Sequence, residues 1–239
     1  MTSSLSRIRP MSLITTSFVS RSRHPALCIA VLVGACTAPQ SSPSVPQPGM
    51  PHNYTHLESE VLSALNKARV DPKGMAVELH DLAPFYKGRL FQRLEQATPV
   101  MTNEGVSALN EAITDVNSRL PLGDLTLDPL LTAAARDHVN DQSRTGYVGH
   151  TGSDGSSVES RVSRYAWWRV SLSENIDYSP AVHGSWVIES LLIDDGVADR
   201  GHRANIYSTT SKVIGIACGP HPRYGGMCVI VQAGGVTPK

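Results

Sequence analysis

KVIGIACGPHPRYGGMCVIVQAG, residues 212 to 234, sets two β-branched stretches on either side of a segment rich in glycine and proline. β-Branched side chains suit the pleated surface of a strand, and Gly-Pro punctuation marks a chain reversal. The pattern predicts an antiparallel hairpin, which sets Cys218 opposite Cys228 across the ladder. A disulfide between them is the expectation if the chain is exported, since exported cysteines oxidise. A metal pair is the weaker alternative, since the other two cysteines, Cys28 and Cys36, fall in the expected leader and at the expected anchor.

Working back from the hairpin, a helical pattern covers about Ala181 to Ile193. Before it, WWRVSLSENI (167–176) alternates, with Trp168, Val170 and Leu172 in one phase, as a half-buried strand does. LDPLLTAAARDHVNDQSRTG (127–146) predicts a helix with Asp128 as cap, Pro129 at its first position and Gly146 as its stop. Another helical face runs from about Asn103 to Leu120 through Val106, Leu109, Ile113 and Val116. THLESEVLSALNKARVDP (55–72) has Thr55 and Glu58 at capping-box spacing. Its stripe of Leu57, Val61, Leu65 and Ala68 should end at Asp71-Pro72, and residues 73–101 read as partly helical at most. Helices flank a few strands without a βαβ repeat, which predicts an α+β domain rather than a doubly wound sheet.

The amino-terminal segment differs in kind. RSRHPALCIAVLVGACTAPQSSPSVPQPG (21–49) places Arg21 and Arg23 before a short apolar run, then Gly34, Ala35 and Cys36. That is the order of an export signal, too short for a stop-transfer helix. LVGAC resembles a bacterial lipobox, so residues 1–36 are expected to be a signal peptide with Cys36 as the acylated first mature residue; simple cleavage and secretion is the alternative. Residues 37–53 are rich in Pro, Ser and Gln and read as a tether, leaving 54–239 for the folded domain. Equal numbers of acidic and basic residues, 21 of each, argue against a nucleic-acid partner.

Two carboxylates stand where apolar residues belong. Glu189 follows Val182 and Trp186 and precedes Ile193 on one helical stripe, and Glu174 shares the phase of Trp168, Val170 and Leu172. Buried charge must be paired or neutralised. His150, in GHTGSDGSS, and His202, in GHRANI, both lie in predicted glycine-flanked loops, and neutral imidazole is a common metal ligand.

Taken in order, GHTGSDGSS, SENI, SWVIES, GHRANI and the closing hairpin resemble the CAP superfamily of cysteine-rich secretory, venom-allergen and plant pathogenesis-related proteins. The resemblance spans roughly Thr55 to Gly235 and points to the bacterial exported branch. It implies a three-layer α-β-α sandwich with a cleft lined by His150, Glu174, Glu189 and His202. It further implies a divalent cation, zinc or another, on the two histidines, with Asn175 securing the local backbone. The residues around His202 depart from the aromatic animal and plant pattern, so sterol- and caveolin-related properties are not carried over.

Three functions follow as expectations. The first is a membrane-anchored binding module whose cleft holds a metal and a small or lipid-like ligand. The second is a metal-dependent hydrolase, peptidase or esterase, with Glu174 or Glu189 as general base; serine chemistry through Ser153, Ser156 or Ser173 lacks a nucleophile elbow. The third is a structural surface protein with a vestigial cleft.

Overall fold

A computed structural model describes residues 54–96 and 98–239. The expected signal peptide, the lipobox at Cys36 and the tether lie outside the described residues.

The chain opens with helices α1 (Tyr54–Val70) and α2 (Pro72–His80), followed by three two-residue strands, β1 (Tyr86–Lys87), β2 (Leu90–Phe91) and β3 (Val100–Met101). Next come α3 (Val106–Ser118), β4 (Thr126–Leu127), α4 (Pro129–Thr145), α5 (Val158–Val162) and β5 (Ala166–Asp177). Helices α6 (Gly184–Ile193) and α7 (Gly201–Ile206) then lead into strands β6 (Val213–Gly219) and β7 (Met227–Pro238).

Local chemistry sets several of these boundaries. The Asp128 carboxylate accepts the backbone N–H groups of Leu130 and Leu131 at 2.9 and 3.1 Å, and Pro129 needs no partner at the first turn. Gly146 ends α4 in the left-handed region at φ 70°. Asp71 stops α1 and caps α2 by accepting from Gly74 N–H. The expected capping box does not form. Thr55 already lies inside α1, and Glu58 instead accepts the Cys218 N–H at 2.8 Å and pairs with Arg136.

The main sheet runs β4-β6-β7-β5, with β7 antiparallel to both neighbours and β4 parallel to β6. Ile214, Ile216 and Ile230 face a core shared with α1, α2, α3 and α6. On the other side, Ala217, Val229, Val231 and Ala233 meet Leu131, Ala135 and Val139 of α4. Each fully buried aliphatic side chain stabilises this arrangement by about 1.5–3 kcal/mol. The result is an α+β fold with helices on both faces of the sheet. At Gly215 a Cβ would lie 2.1 Å from the Leu131 carbonyl carbon, so glycine lets α4 lie directly on β6. Cys218 and Cys228 are register partners and are joined by a disulfide.

Two further local expectations fail. The alternation read through Trp168, Val170 and Leu172 breaks, because Arg169 opposes Gly235 while Leu172 opposes Ala233. Val170 and Ser171 thus stand against Gly234 alone, a β-bulge that turns the phase around. Val170 adopts φ 68°, and Trp168 and Val170 face solvent. The segment carrying His202 is not a loop but the six-residue helix α7.

Residues 73–101 become α2 and a small antiparallel sheet, β1-β2-β3. The Arg93 guanidinium ties this flap to α6. It lies 5.2 Å from the Phe91 ring centre and 4.8 Å from that of Trp186, and it pairs with Glu189.

Candidate functional site

The loop after α4 is fixed by backbone contacts that explain its glycine- and serine-rich sequence. Gly149 N–H donates to the Tyr178 hydroxyl at 2.8 Å, and Gly149 O accepts from Gln142 at 2.7 Å and from His138 Nε2 at 2.9 Å. Burial holds His138 below the ordinary histidine pKa. Buried Arg161, from α5, donates to the carbonyls of His150 and Ser156 at 3.1 and 2.8 Å. The same guanidinium binds Glu174 Oε2 at 2.6 Å, which compensates a carboxylate whose side chain is only 1% exposed. Glu174 Oε1 lies 2.9 Å from His150 Nδ1. A carboxylate there accepts, so Nδ1 carries the proton and neutral His150 keeps its Nε2 lone pair.

His202 is oriented in the same way by a residue that sequence reasoning missed. Its Nδ1 is 2.6 Å from Asp194 Oδ1, and its backbone N–H donates to Asp194 Oδ2 at 3.0 Å. Asp194 ends α6 in the left-handed conformation, φ 56°, which Asp tolerates better than most residues. The hydrogen bond that His202 donates to Asp194 raises the His202 pKa above its ordinary value, against the opposing effect of burial. Asp177 lies close enough to add to that, and its own pKa is raised by burial despite hydrogen bonds from Ser179 and Ser190.

Strand β5 is an edge of the main sheet, so residues on its two faces serve opposite layers. Glu174 reaches Arg161 and His150, whereas Asn175 donates to His202 O at 3.0 Å and accepts from Asn205 at 2.7 Å. Around this edge the two imidazoles approach, with ring centres 6.4 Å apart and planes inclined by 36°.

Glu189 does not join them. It is buried on α6 as its stripe position implied, but its carboxylate is held by Arg93, and its other charged neighbours are Glu78 and Lys67. Burial raises its pKa, and Arg93 opposes that shift. Helix geometry gives the reason: Asp194, five residues on, is turned by about 140° around the axis. The signal available in the sequence was the Asp-Asp-Gly turn shortly before His202.

No group of three or more His, Cys, Asp or Glu side chains is arranged to hold a metal ion among the described residues. Zinc sits about 2.0–2.1 Å from each imidazole nitrogen, so two rings on one tetrahedral ion have centres roughly 5 Å apart. The donor chemistry of His150 and His202 fits a cation, since a carboxylate fixes each Nδ1; shared ligation needs their rings to close by about 1 Å. Neither imidazole is bonded to a serine among the described residues, and Ser153 is instead bound to Asp141. A cavity of about 600 Å³ adjoins His202 and Asp194, walled by Trp186 and Leu191 of α6 and by Phe91 and Met101 of the flap. Its walls are mainly apolar, with polar groups contributed both beside His202 and by the flap, among them Asp194, Asp177, Arg93 and Thr102, the composition expected of a small-molecule site.

The chain matches the family model described as the cysteine-rich secretory protein family, CAP, over residues 62–232. Among solved structures it is similar to an outer surface protein of Borrelia burgdorferi, at 16% identity and TM-score 0.40, covering 47% of this chain and 78% of that one. It is also similar to an extracellular protein containing an SCP domain from Bacillus anthracis, at 19% identity and TM-score 0.37, covering 52% of this chain and 39% of that one. A search of curated proteins finds no match. The family match takes in β5, α6, α7 and nearly all of the closing hairpin, and the chain belongs to the CAP family.

Proposed function

We propose that this CAP-domain chain is an exported binding protein, held at a membrane surface through Cys36. It takes a divalent cation, zinc or a similar ion, between the Nε2 atoms of His150 and His202, and a small or lipid-like ligand in the adjoining cavity. The observation that carries this reading is the paired orientation of the two imidazoles. Each Nδ1 is fixed by a carboxylate, Glu174 or Asp194, which leaves each Nε2 without a partner among the described residues. A bound cation would supply Lewis acidity and positions open to ligand oxygens. Glu174 and Asp194 set ring orientation, Arg161 keeps Glu174 compensated, and Asn175 holds the His202 backbone.

Binding is favoured over hydrolysis because the candidate bases are occupied. Glu174 is shared between Arg161 and His150, and Glu189 is paired with Arg93. Isothermal titration of the metal-free protein with zinc tests the cation site. Heat of binding should vanish in His150→Ala and in His202→Ala and persist in Glu189→Gln; undiminished binding in either histidine variant would overturn it. Mass spectrometry of the mature chain tests the anchor, which requires acyl mass on Cys36 and is excluded by an unmodified start downstream.

A further inference from the structure

We propose that the free end of the β5–β7 ribbon is a second membrane contact, which seats in the headgroup layer of an anionic bilayer and does not depend on acylation of Cys36. The bulge leaves Trp167, Trp168 and Val170 exposed by 59%, 40% and 80%. Indole rings and a valine left in water forgo about 25 cal/mol for every Å² that burial would remove. Val170 also holds φ 68°, a conformation that costs a β-branched residue more than most. Gly234 accommodates the bulge, since a Cβ there would lie 2.6 Å from that of Val170.

Cations lie on and beside the ribbon. Lys239 Nζ stands 4.2 Å from the Trp167 ring centre, and Arg169 Nε donates to Thr237 Oγ1 at 3.1 Å. Lys212 flanks the ribbon, with its backbone N–H donating to Ala233 O and its Nζ to Thr209 O at 3.3 Å, and Thr210 O approaches Gly234. Arg169, Lys212 and Lys239 form no ion pair among the described residues. Indoles favour the level of lipid headgroups, and long basic side chains reach the phosphates from there.

The geometry points to a bilayer rather than a sugar or a flat protein face. Trp167 opposes Thr237 and Trp168 opposes Val236, and neighbouring strand residues point to opposite sides. The ribbon therefore carries one indole on each face, so its outer edge presents both, which suits seating edge-on among headgroups rather than docking of one flat face. Lys239 covers one face of Trp167, and the two indoles do not share a face on which a sugar could stack against both.

The test uses the full chain with Cys36→Ser and Trp186→Phe, which leaves Trp167 and Trp168 as its only tryptophans. It is titrated with vesicles of phosphatidylcholine containing a quarter phosphatidylglycerol, and with phosphatidylcholine alone. Emission should shift blue and be quenched by brominated acyl chains on the anionic vesicles. Three cations at such a surface give roughly 100-fold preference over neutral vesicles at low salt, lost as salt rises. Arg169→Glu with Lys212→Glu and Lys239→Glu should abolish the preference while circular dichroism stays unchanged. Unshifted emission on anionic vesicles, or a shift produced instead by soluble glycan oligomers, would overturn the proposal.

Discussion

Glu174 and Asp194 do the same work from different layers of the fold, each fixing one imidazole through Nδ1. Glu174 was singled out by its strand phase and His150 and His202 by their glycine-flanked segments, whereas Asn175 was named only through the family resemblance. Asp194 and Arg161 were not legible, because their partners are set by tertiary contact, and a charged residue near a turn reads as ordinary surface. The Asp194–His202 pair has a testable pH signature. The folded-state pKa of His202 is raised, so the folded state holds that proton more tightly than the unfolded chain. The stabilisation is complete below the unfolded value of about 6.5 and is lost as pH rises through the raised folded value. His138, with its pKa lowered by burial, acts in the opposite sense, so the comparison must be between variants. Thermal unfolding from pH 5 to 9 should show Asp194→Asn most destabilised relative to the unsubstituted protein at the acid end, with the gap narrowing upward.

Among the elements, α4 was readable end to end because its cap, its first-turn proline and its terminal glycine are local signals. The failure in β5 has an equally local cause: strand periodicity assumes an unbroken ladder, and one inserted residue reverses the phase from Leu172 back to Trp168. The flap at residues 83–103 carried too little periodicity to be read, since its strands are two residues long. Its attachment depends on Arg93, which meets Phe91, Trp186 and Glu189. Arg93→Ala leaves the largely buried Glu189 carboxylate without its cation and should cost about 2–4 kcal/mol in chemical denaturation. Adding Glu189→Leu should recover much of that loss, because the stranded charge is then gone. Hydrogen exchange in residues 86–103 should accelerate in both variants, as neither restores the guanidinium bridge.

At the scale of the molecule, the α+β class followed from the order of helical and strand patterns, the three layers were implied by the family resemblance, and the hairpin placed the disulfide correctly. The convergence around the edge of β5 was expected only from the family resemblance, because the loop of His150 and the helix of His202 come from distant parts of the chain. The Cys218–Cys228 bridge spans a sequence separation of 10 and ties β6 to β7 beneath α1. A loop of that length contributes about 2–3 kcal/mol through the unfolded chain. Cys218→Ala with Cys228→Ala should lower the denaturation midpoint accordingly without changing the circular dichroism of the folded state.

Nitrogen-15 spectra of the histidine rings offer the sharpest check that two imidazoles with free Nε2 atoms share one ligand. When neutral, His150 and His202 should both carry the proton on Nδ1, and both Nε2 resonances should shift together at one equivalent of zinc. A proton on Nε2 in either neutral ring, or a zinc response confined to one of them, would contradict the shared site.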